Sequence, residues 1–476
     1  MAAQQRTVQL SINESILNGI DENYRSSIPI EFELNLLNLA YAIGTCRSVA
    51  STQSNKIPLA LDFLELFINN PENQLRVTIN DDQYIEQKQD ISKYLGEALS
   101  LLIAEKLYKL DKSTIKRIRR RYHDSKPDFV GFNQAIKVVW EAKGSTDAIT
   151  QGEIDHAKEQ KAKEPANFAF ACFTRLRSED TTQVFIEDPP ALPLHDDDLE
   201  RQLSRVMHYV NAFRFIGQSE LSQKYFSLMR KRFIYDRNFP EFNEKEHLFS
   251  KLRFESPRLK ILGKNYVGAI DKIGSSVFLF SGFDENLLTV QGFLNFTDYP
   301  ENTVFNHGRS TFSISRDGIC FGYTKDFDNF LQLGRGNLPI PSEIPYYLER
   351  FRIRDLDFLF QFQLVNFIEY LLTQERFEII RNPKLENQSI DLLVKKRKMA
   401  FAIEIKKNVI LKTFDTVRKR KTDFQPVLVT LKSISDEDIA YAQEFNVVII
   451  DRERLRAIIS RRKTFSKFLL GLLGQF

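Results

Sequence analysis

Two stretches decide the reading: residues 126–144, KPDFVGFNQAIKVVWEAKG, and residues 389–407, SIDLLVKKRKMAFAIEIKK. In each, an Asp enters a short apolar run, a Glu follows 13 residues later and a Lys two residues after that, giving Asp128, Glu141 and Lys143, then Asp391, Glu404 and Lys406. Side chains alternate along a strand, so the two-residue step sets the Glu and Lys of each ExK on one face, while Trp140 and Ala142, or Ile403 and Ile405, take the other. Asn133 and Gln134 read as a turn between strands at 128–132 and 135–142, which makes the stretch a hairpin with its Asp brought alongside its Glu. Two carboxylates on neighbouring strands form a pocket suited to a hard cation bound through oxygen, Mg²⁺ or alternatively Mn²⁺.

Working outward, the same order of elements surrounds both stretches. Leu95, Leu99, Leu102, Ile103 and Leu107 predict a helix over 91–110 bearing Glu97; a helix at 150–163 and a strand at 168–174 complete the first unit. Around the second stretch the pattern predicts a helix over 357–372 bearing Glu369, strands at 390–394 and 399–406, a helix at 413–424, a strand at 427–431, a helix at 436–444 and a strand at 447–451. Upstream, Phe32, Leu36, Leu39, Ala40, Ile43, Leu59, Leu61, Leu64 and Phe67 recur at helical spacing until Pro71. Pro189, Pro190 and Pro193 beside the acidic run 196–198 mark a boundary. Beyond it lies a helical stretch to about 232, then a glycine-punctuated β-rich region that ends at Pro339, Pro341 and Pro345. The fold class expected is therefore multidomain α/β and α+β. It comprises a helical N-terminal region (1–90), a first α/β core (91–190), a middle α+β domain (191–347) and a second α/β core (348–476). The apolar tail 465–476 is expected to pack on the core or on a partner chain. Phe278, Phe280, Phe283, Phe293 and Phe296 have the flat faces on which bases stack, but phenylalanines alternating along strands are ordinarily core.

Composition narrows the function classes. At 476 residues with 42% hydrophobic and 27% charged residues, the chain is globular and long enough for several cores. Three widely spaced cysteines, Cys46, Cys172 and Cys320, exclude a zinc finger and point to a reducing compartment. No leader-like N-terminus and no apolar run of membrane-spanning length occur, so the expected location is cytoplasmic. There is no GxSxG for a serine nucleophile and no GxxxxGK[ST] for an ATP-driven motor. The net charge of +4 is uneven: residues 351–476 hold 24 Lys and Arg against 16 Asp and Glu, a net of +8, leaving −4 for the rest. Lys116, Arg117, Arg119, Arg120 and Arg121 precede the first stretch. Lys395, Lys396, Arg397, Lys398, Arg418, Lys419, Arg420 and Lys421 surround the second. Such clusters suit a phosphate backbone, although a solvated basic turn has the same composition. His123 lies near the first Asp in a basic loop, where a single histidine is ordinarily incidental.

These residues resemble the PD-(D/E)XK phosphodiesterase superfamily, the restriction-endonuclease-like nucleases. That family has a helix with an acidic residue, a hairpin carrying an Asp and an ExK, then a helix and a strand. The pattern matches Glu97, Asp128, Glu141 and Lys143, and again Glu369, Asp391, Glu404 and Lys406. The second copy is similar to the Mrr-type catalytic domain, in which an Ile–Asp pair opens the core strand as Ile390 and Asp391 do. Pro127 precedes the first Asp; the second copy lacks that proline. A glutamine after the ExK, used by some relatives, corresponds to Gln151 or Gln160 in the first copy. The resemblance covers about 90–185 and 350–455. It implies a Mg²⁺-dependent endonuclease acting on DNA, or else RNA, in restriction, antiviral defence or repair, with a second copy of the chain or defence-system proteins as partners. The rival readings are a non-catalytic nucleic-acid-binding scaffold and a regulatory subunit, both built on nuclease-like folds.

Overall fold

The computed structural model describes residues 5–26, 28–46, 60, 64, 68, 73–77, 85–118, 126–161, 164–177, 179–187, 198–235, 256–273, 277–289, 292–293, 296–334, 356, 361–381, 383–385, 388–396, 399–406, 424–435, 439–440, 442, 444, 446–460 and 464–471. The chain forms two compact units, Met1–Pro345 and Tyr346–Phe476, each a mixture of helices and sheets. Among the described residues, no helix is long and apolar enough to cross a membrane.

The first unit opens with β1 (Gln5–Ile12), β2 (Ile30–Asn35), α1 (Leu36–Cys46) and α2 (Ile85–Leu107), then β3 (Lys116–Arg117), β4 (Phe129–Phe132), β5 (Lys137–Ser145), α3 (Gln151–Lys161), β6 (Phe168–Arg175) and β7 (Gln183–Glu187). These strands make one seven-stranded sheet in the order β2-β1-β7-β6-β5-β4-β3. The β4–β5 pairing is antiparallel and β5–β6 parallel, so α3 is the crossover that a parallel pair requires. A reciprocal cap starts it: the Thr150 N–H donates to Glu153 (2.8 Å) and the Glu153 N–H to Thr150 Oγ1 (3.3 Å). Strand β5 is buried from Lys137 to Ala142, as a central strand covered on both faces must be.

The N-terminal expectation needs correction. The region expected to be helical contributes two strands that extend the first core's sheet. In β1 the buried residues Val8, Leu10 and Ile12 alternate with more exposed neighbours, a period of two that marks a half-buried strand. Phe32, Leu34 and Leu36 fit that period as well as Phe32, Leu36 and Leu39 fit a helix, so the helix begins only at Leu36. Of the later positions, Leu64 is buried and helical, whereas Leu59, Leu61 and Phe67 lie outside the described residues.

The middle α+β region follows with α4 (Asp198–Phe215), α5 (Ser219–Tyr235), β8 (Arg258–Ile261), β9 (Lys264–Ile273), β10 (Val277–Asp284), β11 (Thr303–His307), β12 (Ser310–Ile314), β13 (Ile319–Thr324) and α6 (Asp328–Leu333). Its strands form a six-stranded sheet, β11-β12-β13-β10-β9-β8, every pairing of which is antiparallel. Phe280, Phe283, Phe293 and Phe296 are buried, and Phe278 packs against the same cluster as Phe280, so these rings build the core. The boundary expected near residue 190 does not separate two bodies, because a buried polar junction joins the two sheets. Asp317, in the turn between β12 and β13, accepts the Tyr41 hydroxyl of α1 (2.5 Å) and faces His208 Nε2 of α4 (2.6 Å), while Arg316 donates to Leu110 O (2.9 Å) and pairs with Glu105 (3.4 Å).

The second unit contains α7 (Gln361–Gln374), β14 (Glu378–Arg381), β15 (Lys384–Leu385), β16 (Gln388–Ser389), β17 (Leu392–Lys396), β18 (Met399–Lys406), β19 (Gln425–Thr430), β20 (Val448–Ile450), α8 (Arg452–Ile459) and α9 (Phe465–Gly471). Its sheet runs β14-β17-β18-β19-β20, with β14–β17 and β17–β18 antiparallel and β18–β19 and β19–β20 parallel. The expected helix at 413–424 lies outside the described residues save Phe424, and that at 436–444 lies largely outside them. In the tail, Phe465 and Leu469 are buried, and the Phe465 N–H donates to Glu375 (2.6 Å).

Candidate active sites

In the first core the register pairs Phe129 with Trp140, so the next step along the hairpin sets Asp128 across from Glu141. Asp128 is fixed there because its Oδ2 accepts the Ala142 N–H at 3.1 Å, the amide between the Glu and Lys of the ExK. Glu141 and Lys143 share a face as alternation requires, with Lys143 Nζ 2.6 Å from Glu141 Oε1. Trp140 lies on the other side between Phe129 and Phe170, with ring centroids 5.5 and 5.7 Å away, and its Nε1 donates to Ser100 of α2 (3.2 Å). Asp128 and Glu141 are both buried, Glu141 completely.

The second core repeats this geometry. Leu392 pairs with Ile403, which sets Asp391 across from Glu404. Asp391 Oδ2 accepts the Ile405 N–H at 2.7 Å, again the amide between Glu and Lys. Lys406 Nζ lies 3.4 Å from Glu404 Oε1, and Asp391 and Glu404 are buried.

Each helix glutamate engages an arginine on the strand beside its Asp. Arg117 of β3 donates to both oxygens of Glu97 (2.8 Å each), and its Nη2 also reaches Asp128 Oδ1 at 3.4 Å. Arg117, grouped by charge with the phosphate-binding candidates, thus lies between two carboxylates. Burial pushes the Glu97 carboxyl above its ordinary value, Arg117 opposes this, and the charge of Asp128 adds to it. In the second core Arg381 of β14 donates to Glu369 and to Asn366 Oδ1.

Two glycines bring α2 to the first site. A Cβ on Gly144 would lie 1.8 Å from Ser92 O, and one on Gly96 would lie 2.8 Å from Gly144 Cα. Backbone packs on backbone here, immediately beside Glu97 on the helix and Lys143 on the strand. Sequence reading missed this contact; its signal was a glycine next to a functional residue on each element. Of the two glutamines considered, Gln160 is buried and its Oε1 lies 3.5 Å from Lys143 Nζ, whereas Gln151 is exposed and donates to Asp155.

The basic candidates are less tied to the sites. Lys395 is exposed, while Lys396 donates to Glu375 O (2.7 Å) and Ser466 Oγ (2.5 Å), inside the unit's own packing. Arg119, Arg120, Arg121, His123, Arg397, Lys398, Arg418, Lys419, Arg420 and Lys421 lie outside the described residues. Cys172 and Cys320 are buried with thiols pushed up by desolvation, which disfavours the thiolate a nucleophile needs.

The donor set can be tested against a divalent cation. Among the described residues, no three His, Cys, Asp or Glu side chains gather as a metal cluster, and the carboxylates that each hairpin brings side by side are the Asp–Glu pair. That suits Mg²⁺, which keeps several waters and takes only one or two carboxylates. In each site two buried carboxylates, Asp128 with Glu141 and Asp391 with Glu404, stand beside the ExK lysine.

No family model matches this chain, and no curated protein does. One solved structure, the crystal structure of the protein of unknown function AF1548, is similar to 22% of this chain at 20% identity with a TM-score of 0.18. The match spans 64% of that protein's length, and a likeness of this grade carries no argument about fold or activity.

Proposed function

We propose that the chain is a divalent-cation-dependent nuclease with two PD-(D/E)XK-type cores, the second similar to the Mrr type, acting on DNA in preference to RNA. The observation that carries this reading is the duplicated bond. In both cores the Asp accepts the amide between Glu and Lys, which holds two buried carboxylates on adjacent strands with an ammonium beside them. Burying paired charges in two separate sheets is costly without compensating contacts, so their recurrence in one arrangement supports a shared chemical task.

The chain's own groups have distinct parts in that task. Asp128 with Glu141, and Asp391 with Glu404, would hold the ion. Lys143 and Lys406 stand where an ammonium orients an attacking water or offsets charge developing on the phosphate. When bound, Mg²⁺ supplies Lewis acidity and a water of lowered pKa. The exposed Lys395 suits backbone contact without sequence readout.

The test incubates the full chain with plasmid, linear duplex, single-stranded DNA and RNA, in Mg²⁺ or in EDTA. Mg²⁺-dependent cleavage is expected, with a loss of about 100-fold or more on replacing the lysine of a cutting core by alanine. Cleavage that persists in the Asp128→Asn, Asp391→Asn double variant would sink the proposal.

A further inference from the structure

The two cores differ in how each manages its arginine. Arg117 and Arg381 hold the same place: each pairs across the sheet with the residue that follows its Asp, Phe129 in one case and Leu392 in the other. Glu97 is 3% exposed and takes Arg117 with both oxygens, and the remaining reach of Nη2 falls on Asp128 Oδ1. That is the oxygen not used by the Ala142 N–H. In the second core the Glu369 side chain is 27% exposed and Arg381 47%, and Asn366, one helical turn before Glu369, takes a share of the guanidinium. Tyr94 stands at the equivalent place before Glu97 and offers no carbonyl. Arg381 is thereby held on the helix side, while Arg117 spans from the helix to the Asp.

We propose that Arg117 is a built-in counter-cation that competes with a divalent ion for Asp128, so that the first core takes up cation only when this guanidinium is displaced or neutralised. This rests on the nuclease reading above. An ion entering beside Asp128 must meet a guanidinium already clamped by two hydrogen bonds to a buried carboxylate, and a fixed like charge in a poorly solvated site opposes it strongly. Arg117 is a positioning residue here, acting through Asp128 and Glu97 on whatever the pair binds.

Mn²⁺ binding, followed by electron paramagnetic resonance on the full chain, isolates each core. In an Asp391→Asn, Glu404→Gln background only the first core can bind, and weak uptake is expected. Adding Glu97→Gln with Arg117→Gln replaces the buried ion pair by a neutral pair that still hydrogen-bonds, so the core should fold, and fluorescence of the buried Trp140 checks it. This change is expected to tighten Mn²⁺ at least tenfold, whereas Arg117→Lys, which keeps the charge, should leave it weak. Equal affinity with and without Arg117 overturns the inference while leaving the nuclease reading standing. If the complementary Asp128→Asn, Glu141→Gln chain also fails to bind Mn²⁺, the nuclease reading falls and this inference with it.

Discussion

The carboxylate of Asp391 accepts the backbone N–H of Ile405 at 2.7 Å, deep within the second unit. That bond ties position to charge: the residue that would hold an ion also satisfies an amide in the strand carrying Glu404 and Lys406. Asp391→Asn keeps an oxygen for the amide and removes the charge, so in an Asp128→Asn background the remaining cleavage should be lost with little change in stability. Asp391→Ala removes both, and losing this hydrogen bond to a charged acceptor should cost about 1.5–3 kcal/mol. Urea unfolding beside a plasmid-nicking assay separates the two effects. Equal stability of the two variants would mean that the bond contributes nothing.

Gly144 provides a test of what places Glu97. Its missing Cβ leaves room for Ser92 O and Gly96 Cα, and neither atom belongs to a side chain that can rotate away. Gly144→Ala is therefore expected to push α2 off β5, at about 1–3 kcal/mol from overpacking. Glu97 would move with the helix, away from Arg117 on β3. Gly152 is the control, since a Cβ there meets nothing within 4 Å and it lies in α3; Gly152→Ala should be neutral or stabilising by about 0.5–1 kcal/mol. Thermal denaturation checks both, and a Gly144→Ala protein as stable as the parent would show that the close approach is not required.

The parts legible in the sequence were those governed by local periodicity. The hairpin at Phe129–Ser145, the strand Met399–Lys406 and the helix carrying Glu97 followed from alternation and helical spacing. The Asp–Glu–Lys sets were legible because a fixed offset along a hairpin dictates which residues face each other. The first strand of the chain was missed, since its partner β7 lies more than 170 residues away and no local signal names so distant a partner. Arg117 was misplaced for a related reason: charge clusters read as solvated or phosphate-facing, and only the tertiary approach of α2 shows Glu97 as its partner. The Asp317 junction was invisible too, because Tyr41, His208 and Asp317 come from three distant segments.

That junction carries two acids of opposite behaviour, which gives a pH prediction with a definite sign. At Asp317, burial would raise the carboxyl, but the hydrogen bond and charge of His208, with Lys112 and Tyr41, hold it well below its ordinary value. Asp298 faces the same region, accepts the Ser113 N–H (3.1 Å), and is pushed up to about 6 by burial, with the charge of Asp317 adding to it. Its Oδ1 is buried without a hydrogen-bond partner among the described residues. A depressed acid contributes stability above its unfolded value, and that stability is lost as pH falls through the acid range. A raised acid works the other way, favouring the folded chain while protonated and costing stability as pH climbs from about 4 to about 6. Asp298→Asn should therefore stabilise the protein at pH 7–8, on the order of 2 kcal/mol, with the gain fading below about pH 4. Asp317→Asn should destabilise at neutral pH, and that penalty should shrink in acid. Denaturant melts of both variants from about pH 2 to 8 measure the two slopes, the Asp298 change falling between about pH 4 and 6 and the Asp317 change below about pH 4. Parallel curves for Asp298→Asn and the parent would mean that Asp298 titrates alike in the folded and unfolded chains.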